Sequence, residues 1–172
     1  MKKLLLLRHA KSDWNDFTLE DHERPLNDRG QLNAQQIGKY MINHNLTPDM
    51  IFCSTATRTR ETLALIIEEM SLMCPIEYRP DIYEATSTIL MNIIQNCPNK
   101  YGHIMLVGHN PAIQFLGLEL SNNINSKHRQ QLEKHVPTGT LQCHTLKVET
   151  FEETTRNSSV LNNFIRPKTL AE

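Results

Sequence analysis

The sequence predicts an α/β protein with a mainly parallel central sheet covered by helices on both faces, three layers in all. Three observations carry this. Short apolar runs alternate with helix-length segments, the order that builds parallel sheets through crossover connections. The runs LLLL at 4–7, MIFC at 50–53 and IMLV at 104–107 are continuous rather than alternating, as strands buried on both faces are. Two of them end in a histidine, at Arg8-His9 and at Gly108-His109, and open α/β sheets bind ligands beyond the carboxyl ends of their strands.

The elements follow in order. After the first strand, residues 12–30 are polar and carry Pro25 and Gly30, which predicts a long loop with Trp14 and Phe17 as anchors. Leu32, Ile37, Tyr40 and Met41 give residues 31–45 one apolar helical face, with Asn27 or Asp28 as cap. Thr47-Pro48-Asp49 turns the chain into the strand at 50–53. Ser54-Thr55 then caps a helix running from 56 to about 73, with Leu63, Ile66, Ile67 and Met70 facing inward.

Pro75-Ile76-Glu77-Tyr78 reads as a short strand and 86–96 as a helix. After the strand at 104–107, Pro111 suits the first turn of a helix over 112–121 with Asn110 as its cap. Residues 122–137 read as a polar loop with a weak helix. Leu141, Cys143, Thr145 and Val148 mark an alternating strand, 151–158 a charged turn, and 160–165 a last strand. No repeat or linker divides the chain, so residues 1–172 read as one domain.

Composition narrows the function. A net charge of −1 with dispersed basic residues gives no field for nucleic acid or an anionic membrane. The apolar run after Met1 is four residues, too short for a secretion signal or a membrane span, so the setting reads as cytoplasmic. Four cysteines, at 53, 74, 97 and 143, form no C-x-x-C pair and read as reduced, partly buried thiols. No P-loop, G-x-S-x-G elbow or helical zinc-binding histidine pair is present. Nothing in the sequence sets the oligomeric state.

Arg8 and His9 end one strand, Arg58 opens the helix after the next, and His109 follows another. Parallel strands bring all four to one sheet edge; His103, at an amino end, falls on the other. A cation in the first turn opposes the helix dipole, which makes sense if an anion docks there; the alternative is pairing with an Asp or Glu. Two arginines and two imidazoles suit a phosphoryl group, whose oxygens need fixed positive partners while a neutral imidazole attacks phosphorus. Glu84, in the loop after the third strand, is the candidate proton donor, against the alternative of a merely solvated glutamate.

These residues resemble a known family. Arg8-His9-Ala10, STATRTRET at 54–62, Tyr83-Glu84-Ala85 and VGHNP at 107–111 are similar to the motifs of the histidine phosphatase superfamily. RHAKSDW at 8–14, RPLNDRG at 24–30 and PTG at 137–139 resemble its small SixA-type phosphohistidine phosphatase branch. The resemblance implies a phosphoglycerate mutase-like fold. It implies His9 as nucleophile, Arg8 and Arg58 as phosphoryl ligands, His109 completing the pocket, and Glu84 at the proton-donor position. It implies no metal and no organic cofactor. Ala10 stands where the superfamily more often has glycine, and alanine there asks only that the backbone avoid positive φ. The chain lacks room for the large insertions that cap sugar-phosphate members, which implies an open pocket. The substrate is then phosphohistidine on a protein, with a small phosphomonoester, or binding of a phosphorylated ligand without turnover, as the alternatives.

Overall fold

The computed structural model describes residues 1–170 of the 172-residue chain. Six strands form one sheet: β1 (Lys2–Arg8), β2 (Met50–Ser54), β3 (Ile76–Arg79), β4 (His103–Gly108), β5 (Leu141–Leu146) and β6 (Ser159–Ile165). Their spatial order is β3-β2-β4-β1-β5-β6. The first four lie parallel; β5 runs antiparallel to both β1 and β6. Five helices cover the sheet: α1 (Asp28–Asn43), α2 (Thr57–Met70), α3 (Ser87–Gln95), α4 (Ala112–Leu120) and α5 (Lys127–Lys134).

The leucine run explains the layering. Leu4 and Leu6 point to one face, where they join residues of α3, α4 and α5 with Phe151; Leu5 and Leu7 point to the other, where they meet Ile37 and Met41 of α1 and Leu63 and Ile66 of α2. All four leucines are buried. Each such burial stabilises the fold by about 1.5–3 kcal/mol. The strand is central because it is apolar on both faces, and its centrality puts Arg8 and His9 in the middle of the sheet edge.

Several expected boundaries shift. α1 begins at Asp28, because Asn27 accepts the Gly30 N–H and so caps it. α2 begins at Thr57, since Ser54 and Thr55 spend their hydroxyls on other partners, and it ends at Met70, where Ser71 turns left-handed (φ 48°). Asn110 does not cap α4: its amide donates to the Val136 carbonyl, and Pro111 takes the cap position. Residues 127–134 are a defined helix, with Ser126 accepting from Arg129 N–H. β5 stops at Leu146, short of Val148.

The long loop after His9 is folded back on itself. Asp13 N–H donates to the Pro25 carbonyl, Asn27 N–H to the Lys11 carbonyl, and the Arg24 guanidinium lies 3.9 Å from the Trp14 ring. Glu61 of α2 accepts the Leu26 N–H at 2.7 Å. A single 3-10 turn at Asp21–Glu23 then lies over the start of α2. Neither expected anchor is buried: Trp14 is 57% exposed and touches the Arg24 guanidinium from outside, and Phe17 is 90% exposed.

All four cysteines are free thiols, with Cys53, Cys97 and Cys143 buried. Among the described residues, no helix is long and apolar enough to cross a membrane.

Candidate active site

The carboxyl edge of the parallel strands gathers Arg8, His9, Arg58 and His109 around one cleft of about 260 Å³. His9 leaves the end of β1 with its backbone held on both sides. Its N–H donates to the Gly108 carbonyl and its own carbonyl accepts Gly139 N–H at 2.8 Å. The adjoining Ala10 N–H donates to Thr62 Oγ1 at 3.0 Å, and that hydroxyl donates onward to the Arg58 carbonyl at 2.7 Å. Strand end and helix start are thus bolted together through one threonine.

The His9 ring is oriented by its own chain. Nδ1 lies 2.7 Å from the Ala10 carbonyl, which can only accept, so Nδ1 carries the proton and Nε2 carries the lone pair. Burial, reinforced by the cations of Arg58 and Arg8, lowers the His9 pKa to about 4, so the ring is neutral at physiological pH. The Arg58 Nε lies 3.4 Å from that Nε2.

His109, from the loop after β4, lies with its ring centroid 5.2 Å from that of His9. Its Nε2 is 2.8 Å from Ser54 Oγ, at the end of β2. Burial first, then His9 and Arg58, lowers its pKa to about 3. Arg8 donates from Nη1 to the Val136 carbonyl at 2.7 Å. Arg8 Nε and His109 Nδ1 are buried and find no partner among the described residues. Burial and the nearby Arg58 also hold the Arg8 pKa below its ordinary value. A phosphoryl group placed between the arginines would relieve both their repulsion and these open hydrogen-bond positions.

Arg58 is not free of protein anions. Its Nη1 donates to the Asp21 carbonyl at 2.8 Å and its Nη2 to the Asp21 carboxylate at 3.2 Å. Both expectations for Arg58, an anion site and an acidic partner, therefore meet in one residue. The Tyr83 hydroxyl also donates to the Asp21 carboxylate, and these contacts, the tyrosine foremost, hold its pKa below the usual carboxylate range. Glu84 lines an adjoining cleft of about 340 Å³ that shares Asp21, Arg58, His109 and Asn110 with the first. It is exposed, and its side chain makes no hydrogen bond or ion pair among the described residues.

Sequence reasoning named five residues here and missed Asp21, Tyr83, Ser54 and Thr62. The last three stand inside motifs that had been noted, at 54–62 and 83–85. Asp21 gave no signal, since one aspartate in a polar loop looks like any other. The described residues hold no group of three or more His, Cys, Asp or Glu placed to bind a metal ion.

Comparison with known proteins agrees with this geometry. Residues 4–93 match the model of the histidine phosphatase superfamily (branch 1). A chloroplastic protein of Arabidopsis thaliana is 34% identical over 118 residues, which make up 63% of this chain and 54% of the relative, about half its length. The solved structure assigned as phosphohistidine phosphatase SixA of Nakamurella multipartitia superposes with a TM-score of 0.85 at 25% identity, covering 96% of each chain. Its counterpart from Agrobacterium tumefaciens gives 0.82 at 26% identity, covering 96% of this chain and 98% of the other. With its phosphoglycerate mutase-like fold and its two motif histidines at one sheet edge, the chain belongs to the histidine phosphatase superfamily and has the architecture of the small SixA type.

Proposed function

We propose that the chain is a metal-independent phosphohistidine phosphatase acting on protein substrates through a covalent intermediate on His9. The observation that carries this reading is the unprotonated Nε2 of a neutral, buried His9, whose lone pair accepts the Arg58 Nε–H at 3.4 Å until phosphoryl oxygens take that donor. Nε2 attacks phosphorus, and the bond from phosphorus to the leaving nitrogen breaks. Glu84, in its protonated form, gives its proton to that nitrogen. Water then attacks the phosphohistidine, Glu84 takes the water's proton, phosphate departs, and the bonding pair returns to Nε2.

Arg8 and Arg58 supply the positive charge that the phosphoryl oxygens need, in the place a metal ion would take in another scaffold. Ser54 Oγ already accepts the Ala56 N–H, so its hydroxyl proton is available to His109 Nε2. With that hydroxyl taken as the donor, the neutral His109 carries its proton on Nδ1, a donor to a phosphoryl oxygen. The open cleft accommodates a side chain presented on a protein surface, and the free thiols fit a reducing, cytoplasmic setting. We read the 172 residues as one phosphatase domain.

The test is direct. The protein is mixed with a labelled phosphohistidine protein, quenched in alkali, and searched for an acid-labile adduct. Label on His9, lost with turnover in His9→Ala, is the expected result. Turnover without an adduct, undiminished in His9→Ala, removes the mechanism. Faster hydrolysis of small phosphomonoesters than of phosphohistidine removes the substrate assignment, and binding of phosphorylated ligands with no turnover removes the enzyme reading.

A further inference from the structure

We infer that Asp21 is a specificity-determining residue, a fixed negative charge at the mouth of the phosphoryl site that admits neutral and cationic leaving groups and turns away anionic ones. The inference rests on the phosphatase reading above and adds a selectivity to it.

Among the described residues, Asp21 is the only carboxylate residue common to both clefts, so a substrate reaching His9 through either one passes it. It arrives from the long loop yet is held firmly: Arg58 grips its carbonyl and its carboxylate, Tyr83 donates to the same carboxylate, and Arg24 Nε lies 3.7 Å from its other oxygen. Those donors keep it ionised across the physiological range.

Once a phosphoryl dianion occupies Arg8 and Arg58, the positive charge of the site is matched. The leaving group then lies in the larger cleft, beside Glu84 as proton donor. Among the described residues lining that cleft, Arg58 is the sole cation, and Asp21 already engages it. Lys11 lines only the smaller cleft. A carboxylate or second phosphate on the leaving group meets Asp21 as a like charge; a protonated nitrogen meets it as a counterion. At a separation of several ångströms and partial exposure, one such charge changes selectivity by about five- to tenfold per unit of leaving-group charge.

The experiment uses phenyl phosphates carrying a para-aminomethyl group (an ammonium at neutral pH), a para-methyl or a para-carboxymethyl group, whose methylene keeps the charge off the ring so that charge is the main variable. The wild-type kcat/KM should fall in that order. Asp21→Asn, which keeps the shape and the Tyr83 contact, should compress the ammonium-to-carboxylate ratio at least fivefold, whatever happens to the absolute rate. A purely structural role would change all three substrates together. Raising the salt from 20 to 500 mM should compress the wild-type ratio as well, a reading that needs no variant. Turnover of all three with a flat wild-type ratio, or a ratio unmoved in a folded Asp21→Asn, overturns the inference while leaving the phosphatase reading in place. No turnover of any of them or of phosphohistidine overturns both.

Discussion

Arg58 Nε lies 3.4 Å from His9 Nε2, so a guanidinium of the site and the atom proposed to attack phosphorus share one small volume. Removing the guanidinium removes a charge-assisted donor where negative charge develops. Arg58→Ala is expected to lose at least ~3 kcal/mol of transition-state stabilisation, a fall in kcat/KM of more than about a hundredfold. Arg58→Lys should recover little, because one ammonium cannot address His9, the phosphoryl oxygens and Asp21 from a planar fork. Steady-state kinetics on phosphohistidine check this; a near wild-type kcat/KM in either variant takes Arg58 out of the reaction.

Thr62 links the same two elements without reaching the substrate. Its hydroxyl accepts Ala10 N–H and donates to the Arg58 carbonyl, and the residue is 1% exposed. Thr62→Val keeps the volume and leaves the buried Ala10 N–H without its acceptor, while the Arg58 carbonyl keeps its helical bond from the residue 62 N–H. The expected cost is about 1–3 kcal/mol in urea unfolding, together with a lower kcat as Ala10 and His9 lose their register. Unchanged stability would mean that the Ala10 N–H is satisfied in another way.

The sheet was legible because its strands are apolar on both faces: Leu4 to Leu7 declare themselves without any tertiary information. Arg8, His9, Arg58 and His109 were legible for a related reason, since the end of a buried strand is where polar side chains must collect. What stayed hidden depends on contacts distant in sequence. The reversed direction of β5 shows only in its pairing with β1 and not in its own pattern. Ser54 looked like a helix cap because nothing local shows that His109 claims its hydroxyl. Asp21 became visible only when Trp14, Arg24 and Leu26 were seen to fold the loop back toward α2.

Four histidines whose pKa burial lowers, His9, His103, His109 and His144, give stability a definite pH dependence. Burial lowers the pKa of His9 to about 4 and of His109 and His144 to about 3, from 6.5. Above about pH 6.5 these groups are neutral in both states and contribute nothing. As pH falls below that value the unfolded chain takes up protons that the folded chain refuses, so stability falls, by up to about 1.4 kcal/mol per pH unit for each histidine. The loss continues until the folded pKa values are reached. His144 lies away from the site, bonded to Ser159 and Gln142, and so isolates the effect. In His144→Gln, unfolding free energies measured between pH 7 and 5 should show a slope shallower by about one proton; an identical slope would mean that His144 already binds its proton in the folded state. Imidazole nitrogen shifts of His9 should likewise stay those of the neutral ring down to pH 5.5.

Gly30 ties the RPLNDRG segment to the catalytic strand. A β-carbon there would meet the Lys11 carbonyl oxygen at 2.1 Å, and Lys11 lies two residues beyond His9. The clash is with backbone, so no side chain can swing aside to relieve it. Either the start of α1 moves outward or the chain after Ala10 does. The second would disturb the Lys11 carbonyl bond from Asn27 N–H, and with it the path that brings Asp21 to Arg58. Gly30→Ala is therefore expected to cost about 1–3 kcal/mol of stability, as overpacking does in a filled interior. It should also reduce kcat/KM at temperatures where the protein remains folded. Thermal unfolding and kinetics measured on the same preparation separate the two effects. A variant as stable and as active as the wild type would show that the contact between α1 and the strand end is loose enough to yield, and that the loop does not depend on it.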